Sequence, residues 1–455
     1  MNSRSILWTW AELCTALGLP VAVGPDVTRV IVDSRTVQPG DLFVALPGDP
    51  GSRFNPGHRS AIDGHDFVTD AIDKGAVGAM VHRPTIKMID GSQTGGPPEL
   101  LVDDTYDGLW TLGAAARTRL EGNVIAVTGS SGKTTFKTFL AAALSGYAPP
   151  GSFNNHIGVP LSLVNAPPHA SACVFEVGTN HPGEIAPLAN MVEPTIAVVL
   201  NVHNAHIQNF KDSAELITEK LSIFNNIRNI SNRICEEKVA NKVTGGARTF
   251  GYDPASDAHV ISLTGDLMHA QVLGQTVTAN VPGGGAHRAQ TLLAALLTTA
   301  LLDHDLAAAC DLPSTLLPSG RGNLITVNGI DIVDDSYNAN PSSMAAAIKA
   351  FLQQSGPDCR RIALLGEMAE LGDVGPDAHT EIAQSFTEFD DVIAIGAAFE
   401  HSGAPHWYSA ADDTLLEHLC TLLDTGDRVL VKGSNSVFWS QRFVERLTER
   451  LRTST

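Results

Sequence analysis

Residues Val124 to Leu144 read VIAVTGSSGKTTFKTFLAAAL. Val124 to Val127 is a short apolar run of the kind that forms a buried strand. A glycine turn follows, and an apolar-periodic helix begins near Thr134. Strand, glycine loop, Gly-Lys-Thr and helix is the layout of a phosphate-binding loop. Gly129 and Gly132 let the backbone turn sharply and approach a ligand without a Cβ in the way. The N–H groups of Ser130 to Thr134, at the start of the helix, make a cradle for anionic oxygens. Lys133 adds a mobile positive charge for the outer phosphates, and the Thr134 hydroxyl is a donor that suits Mg²⁺. Val127 stands where the commonest form of the motif has its first glycine. The bland alternative is a glycine turn with a chance lysine, and the order of the flanking strand and helix argues against it.

Outward from this stretch, the bulk composition sets limits. A chain of 455 residues exceeds one ordinary core and points to several domains. At 43% hydrophobic and 17% charged it can bury sizeable cores. A net charge of −19 argues against nonspecific binding to nucleic acid or anionic membranes. Phosphates must then be held by local design. No apolar run approaches the roughly 20 residues of a membrane span. The N-terminus MNSRSILWTWAEL has no apolar core with a small-residue cleavage site, so no signal peptide is expected. Six scattered cysteines form no C-x-x-C and read as buried free thiols of a reducing cytoplasm.

The expected fold class is α/β in three domains. Residues 1–104 form a small N-terminal α/β domain, with strands at Val27 to Val32 and Asp41 to Leu46. Within it, Gly48 to Gly64 reads as a long surface loop. DGHDFVTDAIDKGAVGAMV then gives a helix closed by Gly75 and a further strand. Residues 105–314 form the central phosphate-loop domain, a doubly wound, mostly parallel sheet entered through a helix from Thr105 to Leu120. Strands at Ala172 to Val177 and Ile196 to Asn201 place Glu176 and Asn201 at the carboxyl ends, where ligands bind in such sheets. The last long helix of this domain spans Gln290 to Leu302. Residues 315–455 form a C-terminal Rossmann-like α/β domain. Its strands are Leu324 to Val327, Ile330 to Asp334, Arg361 to Leu365, Asp391 to Ile395 and Arg428 to Lys432, with a helix at Ser343 to Gln353.

Further polar clusters follow the loop. SFNNHIGVPLSL puts Asn154, Asn155 and Gly158 ahead of an apolar helix, a pattern shared by capped helices and by sites. FEVGTNHPGEI puts Glu176 at a strand tip, where a carboxylate suits Mg²⁺ and where a surface carboxylate is the alternative. NVHNAHIQNFKDSAELITEK holds His206 after a strand and Lys220 in a helix. By residue type alone His206 reads equally as a surface histidine, and Lys220 as an exposed helical lysine.

Taken together these motifs resemble the Mur ligases, ATP-dependent enzymes that build the peptide of bacterial peptidoglycan for the cell wall. The resemblance covers most of the chain. In the first domain it rests on DSRTVQPGDLFVAL and DGHDFVTDAIDKGA. In the centre it rests on TGSSGKTT, NNHIGVPL, FEVGTNHPGEI and AHIQNF. In the third domain it rests on SGR, DDSYNANPSSMAAAI and ALLGEMAELG. DDSYNANPSSM and GTNHPGEI single out the branch that joins D-alanyl-D-alanine to UDP-N-acetylmuramoyl-tripeptide.

The resemblance implies a monomeric cytoplasmic ligase that uses ATP and Mg²⁺ and makes an amide through an acyl phosphate. It implies that Gly129, Ser130, Ser131, Gly132, Lys133, Thr134 and Thr135 bind the ATP phosphates. Thr134, Glu176, His206 and Lys220 would hold magnesium, with Lys220 carbamylated by CO₂. Arg321 would reach the γ-phosphate and Asp335 the nucleotide. Asn338 and Asn340 would face the incoming amino component. Asp33, Ser34 and Arg35, with Asn155, would serve the UDP-linked acceptor. The third residue of the tripeptide, diaminopimelate or lysine, is left open.

The chain departs from the family pattern at several points. Arg288 and Thr291 stand in GAHRAQT where asparagines near the adenine are usual. Asn435 stands in VKGSNS where an arginine is usual, and Leu221 and Ser222 follow Lys220 in place of Gly-Glu. Two other readings stay open at this level: a phosphate-loop ATPase or kinase with another acceptor, and a diverged homologue with another substrate or no catalysis.

Overall fold

The structure, a computed structural model, describes residues 5–51, 60–85, 88–89, 92–93, 97–203, 207–356 and 359–453. His206 and residues 52–59 of the expected surface loop lie outside them. The chain divides into two compact units, Met1–Ala126 with Gly146–Thr195, and Val127–Ser145 with Ile196–Thr455.

The first unit holds a four-stranded parallel sheet in the order Arg29–Ile31, Asp41–Val44, Gly78–Val81, Glu99–Leu101. The first strand starts later than the sequence suggests, because Val27 leaves the ladder to bridge Trp8, and the second ends at Val44. The helix Val68–Asp73 follows a 3₁₀ turn at Gly64–Phe67, and Gly75, at φ +105°, ends it in a conformation that favours glycine. The helix Thr105–Arg119 is capped by Asp104, whose carboxylate accepts from the N–H groups of Tyr106 and Asp107. Thr105 Oγ1 donates to the Ala45 carbonyl at 2.8 Å and the Tyr106 hydroxyl to that of Pro47 at 2.7 Å. The Asn165 side chain pairs with both backbone groups of Val30, and Trp8 Nε1 donates to the Val164 carbonyl. This helix and the one at Gly158–Val164 are therefore tied to the small sheet by specific polar bonds.

A second sheet has eight strands, in the order Gln275–Asn280, Leu267–Val272, Ala258–Thr264, Arg248–Gly251, Arg233–Glu236, Ile196–Val199, Asn123–Thr128, Ala172–Glu176. Pairing is parallel from Ile196–Val199 through Arg233–Glu236 and Arg248–Gly251 to Ala258–Thr264. The last three strands form an antiparallel meander, which the mostly parallel expectation did not contain. Two tight turns close it. At the second, Leu273 and Gly274 both take positive φ, +48° and +85°, the two-residue hairpin geometry that matches strand twist. The long helix Ala286–Leu301 begins four residues earlier than the sequence suggests, after three glycines.

The C-terminal sheet has six strands, ordered Asn323–Val327, Ile330–Asp335, Arg428–Lys432, Arg361–Gly366, Asp391–Ile395, His406–Tyr408. The first pair is antiparallel and the rest are parallel. Strand alternation sends Ile362 and Leu364 to one face and Ala363 and Leu365 to the other, and both faces are buried. Leu415, Leu419, Phe443 and Leu447 cover the first face, and Met344, Ile348, Phe351 and Ile382 the second. The edge strand His406–Tyr408, flanked by Pro405 and only three residues long, escapes a search for apolar runs.

Candidate active site

The strand Asn123–Thr128 is buried from Val124 onward and delivers the chain to Gly129. The helix starts at Lys133, one residue before the expected start, with Gly132 as its N-cap at φ +82°. A side chain at Gly132 would be strained there, and its Cβ would lie 3.1 Å from Thr291 Oγ1. The first helical bond runs from Phe136 N–H to the Gly132 carbonyl. The N–H groups ahead of it form the electropositive end of the helix.

Asn201, just beyond the strand Ile196–Val199, braces the loop. Its carbonyl accepts from Ser130 N–H at 3.1 Å and its Oδ1 from Ser131 N–H at 3.0 Å. Its Nδ2 donates to the Ser131 carbonyl at 3.3 Å. Ser130 Oγ accepts from His203 N–H and donates to the His203 carbonyl, both at 2.9 Å. Two of the amides assigned to the phosphate cradle are thus committed to the neighbouring strand end. Of the amides assigned to the cradle, those from Gly132 onward are the ones left to meet a phosphate. Lys133 Nζ donates to the Gly129 carbonyl at 2.7 Å, across its own loop.

Lys220 lies in the helix Ser213–Leu221, which Asp212 caps through the Glu215 N–H. It is 1% exposed, so the exposed-lysine alternative fails. Burial and the Lys133 ammonium lower its pKa from 10.5 to about 7, with Glu219 opposing. His203 is lowered too, by burial, Lys238 and Lys220. Lys133 and Lys220 therefore share one electrostatic neighbourhood. Glu176 ends its strand at 1% exposure and accepts a hydrogen bond from Ser152 Oγ at 3.0 Å, so it is no surface carboxylate. Among the described residues, no group of three His, Cys, Asp or Glu side chains is arranged to hold a metal ion.

In the C-terminal part, Arg321 lays its guanidinium over the Tyr337 ring, 4.0 Å from the centroid. Tyr337 meets Trp439 edge-on at 5.3 Å, and Asn435 Nδ2 donates to the Tyr337 carbonyl at 3.1 Å. The unusual Asn435 thus supports the platform on which Arg321 rests. Asp335 is paired with the buried Lys432 at 2.8 Å, and Lys432 also donates to the Asn338 carbonyl at 3.1 Å. Asn340 caps the helix Pro341–Gln354, its Oδ1 accepting from Ser343 N–H and Ser342 Oγ.

In the first unit, Asp33 caps the 3₁₀ turn Ser34–Thr36 and accepts from Arg35 through the backbone N–H, Nε and Nη2. Those bonds hold the Asp33 pKa below the ordinary carboxylate value. Ser34 is buried and its carbonyl accepts from Lys74. Asn155 Oδ1 accepts from the N–H groups of Ile157 and Gly158 at the entry to the helix Gly158–Val164.

The sequence places Asn201 at a ligand-binding strand end and marks Arg288 as a departure near the adenine, without assigning either a role, and it singles out neither Tyr337 nor Lys432 individually. Lys432 carried a usable signal, a lysine at the carboxyl end of an otherwise apolar strand. Arg288 and Thr291 are both buried, on the first turns of the helix Ala286–Leu301.

The Mur ligase middle domain profile matches residues 127–299, and the profile of the Mur ligase glutamate ligase domain matches residues 320–435. A UDP-N-acetylmuramoyl-tripeptide--D-alanyl-D-alanine ligase from Escherichia coli K12 is 32% identical, over 91% of this chain and 92% of that protein. The crystal structure of MurF from Acinetobacter baumannii aligns with a TM-score of 0.76 at 27% identity, covering 97% of this chain and 99% of that one. MurF ligase from Thermotoga maritima, solved in complex with ADP, aligns at 0.74 and 26%, covering 94% of this chain and 98% of that one. Phosphate loop, flanking sheets and full-length similarity point the same way, and the chain belongs to the Mur ligase family.

Proposed function

We propose that this protein is the ATP-dependent ligase that joins D-alanyl-D-alanine to UDP-N-acetylmuramoyl-tripeptide in peptidoglycan precursor synthesis. The observation that carries the reading is the buried Lys220, its pKa lowered to about 7 within the field of the phosphate-loop lysine. Full-length similarity to ligases of that name supports the substrate pair.

A carboxylate is a poor electrophile, so an acyl donor must first be activated. The terminal carboxylate of the tripeptide attacks the γ-phosphorus of ATP, ADP leaves, and an acyl phosphate forms. The amine of D-alanyl-D-alanine then attacks the acyl carbon, phosphate leaves with the bonding pair, and the nitrogen loses a proton to give the amide. Lys133 and the amides from Gly132 to Thr135 hold the phosphates and oppose the charge that builds on them. Arg321, released from Tyr337, adds a second positive group at the γ-phosphate. Asp335, held by Lys432, orients the nucleotide, and Asn338 and Asn340 face the incoming dipeptide. Asp33, Ser34, Arg35 and Asn155 serve the acceptor.

Oxygen donors suit Mg²⁺, and Thr134 and Glu176 supply them. A charged lysine does not, but a neutral Lys220 amine can attack CO₂ and release a proton, leaving an anionic carbamate. With His206, these residues would hold the metal, which supplies charge neutralisation at the phosphates. The working domains are residues 1–104 for the UDP-linked acceptor, 105–314 for ATP and 315–455 for the dipeptide. The protein acts as a monomer in the cytoplasm, where its nucleotide substrates are. Among the described residues no helix is long and apolar enough to cross a membrane. The test is ADP release by purified protein with UDP-N-acetylmuramoyl-tripeptide, with and without D-alanyl-D-alanine. Dipeptide-dependent release is expected, and release indifferent to the dipeptide would overturn the reading.

A further inference from the structure

Arg288 is a buried guanidinium on the first turn of the helix Ala286–Leu301. A positive charge there meets the positive end of the helix dipole, and burying it is costly unless it is well paired. Burial depresses its pKa, and the nearby Asp335 carboxylate opposes that. Its hydrogen bonds among the described residues go to carbonyl oxygens. Nη1 donates to Gly283 at 3.0 Å and to Gly284 at 3.3 Å, and Nη2 donates to Arg321 at 3.2 Å.

The backbone is shaped around this side chain. Gly283, Gly284 and Gly285 take φ of +71°, +60° and +83° in succession, a path that bends the turn carbonyls back toward the helix start. Gly322 takes φ +87°, and a Cβ there would fall 1.6 Å from Arg288 Nη2. The guanidinium occupies the space that a side chain at residue 322 would need. From the C-terminal sheet's helix Pro341–Gln354, Gln354 Nε2 donates to the same Gly283 carbonyl at 2.9 Å.

One turn further along the same helix, Thr291 backs the phosphate loop at Gly132. A single stretch of helix thus touches the loop on one side and the main chain of Arg321 on the other. We propose that Arg288 is a positioning residue: it pins the Arg321 main chain at a fixed distance from the phosphate loop, so that the Arg321 side chain can swing from Tyr337 to the γ-phosphate. This rests on the role given to Arg321 above.

The planar fork of arginine spans the glycine turn and Arg321 together, and the single ammonium of lysine cannot. The test compares Arg288→Lys with wild type, each also in an Arg321→Ala background. The assay is dipeptide-dependent ADP release with the full chain, with ATP KM and kcat read separately. We expect Arg288→Lys to lower kcat about tenfold or more with ATP KM within about threefold, and to add little once Arg321 is gone. Unchanged kcat, an equal further loss in the Arg321→Ala background, or a loss confined to ATP KM would overturn the pin. Arg321→Ala with normal kcat would instead remove the role of Arg321 itself. Should Arg288→Lys fail to fold, Gln354→Ala loosens the same glycine turn from the other side. A kcat for that variant equal to wild type would then overturn the proposal.

Discussion

Replacing Lys220 by methionine, of similar length and apolar, tests the buried amine directly. An ordinary lysine titrates at 10.5 and Lys220 at about 7, because burial and the Lys133 ammonium both disfavour its charge. At pH 7 an ordinary lysine keeps about one amine in three thousand neutral, whereas a group titrating at about 7 keeps about half. Only the neutral amine attacks CO₂, so the reactive population rises by on the order of a thousandfold.

The same shift links folding to pH. Below about pH 7 both folded and unfolded chains hold the proton, and the full penalty of about 5 kcal/mol is present. Between about 7 and 10.5 the unfolded chain keeps a proton that the folded chain has released, so stability rises with pH. From pH 7 to pH 9 the gain is about 2 kcal/mol for wild type, and Lys220→Met lacks it. Thermal melting of both proteins at the two pH values, in CO₂-free buffer, measures the difference. Carbon NMR with ¹³C-bicarbonate should show a carbamate signal in wild type at neutral pH that is missing in Lys220→Met, and the variant should be nearly inactive. Parallel melting shifts in the two proteins, with no lysine-dependent carbamate, would refute the reasoning.

Lys133→Ala should abolish ligation, since no other side chain of TGSSGKTT carries positive charge to the outer phosphates. The loss is several kcal/mol of transition-state stabilisation, and turnover near wild type would remove the phosphate-loop role. Asn201→Ala takes away the side-chain bonds to Ser131, each worth about 1 kcal/mol, and frees the loop. ATP affinity by calorimetry should fall while far-UV circular dichroism stays unchanged. Arg321→Ala should leave ATP binding nearly intact and cut kcat, because the residue rests on Tyr337 and its proposed phosphate contact would form only during turnover. Equal kcat in the variant would make Arg321 structural.

The phosphate loop is legible in the sequence because its parts are contiguous: an apolar strand, glycines of positive φ and a helix start within one short run. By residue type Lys220 is legible only as a helical lysine, and its expected role comes from the family resemblance alone. Its burial follows from a face that the helix period alone does define, since Leu216 lies four positions earlier and is buried as well. What no local pattern supplies is the surface that this face meets. The antiparallel meander at Ala258–Asn280 was missed for a different reason. Its signals are local and were passed over: Met268, Ala270 and Val272 alternate with polar residues and Gly265-Asp266 is a two-residue hairpin pair, but the doubly wound reading of the domain left no place for an antiparallel ribbon.

Arg288 marks the remaining gap between sequence and site. Read in a line of text it is an asparagine position filled by the wrong residue, a lost contact to the base. Its side chain instead ends on carbonyls of a glycine turn and of Arg321, residues separated from one another by more than thirty positions. Gly322 must be glycine for that guanidinium to fit, and Gly283 and Gly284, both at positive φ, present their carbonyls to it. Substitution and glycines form one packed unit, since the turn carbonyls are the acceptors that a buried guanidinium requires. A departure from a family pattern at a buried charged residue is therefore best read together with the glycines whose missing side chains make room for it.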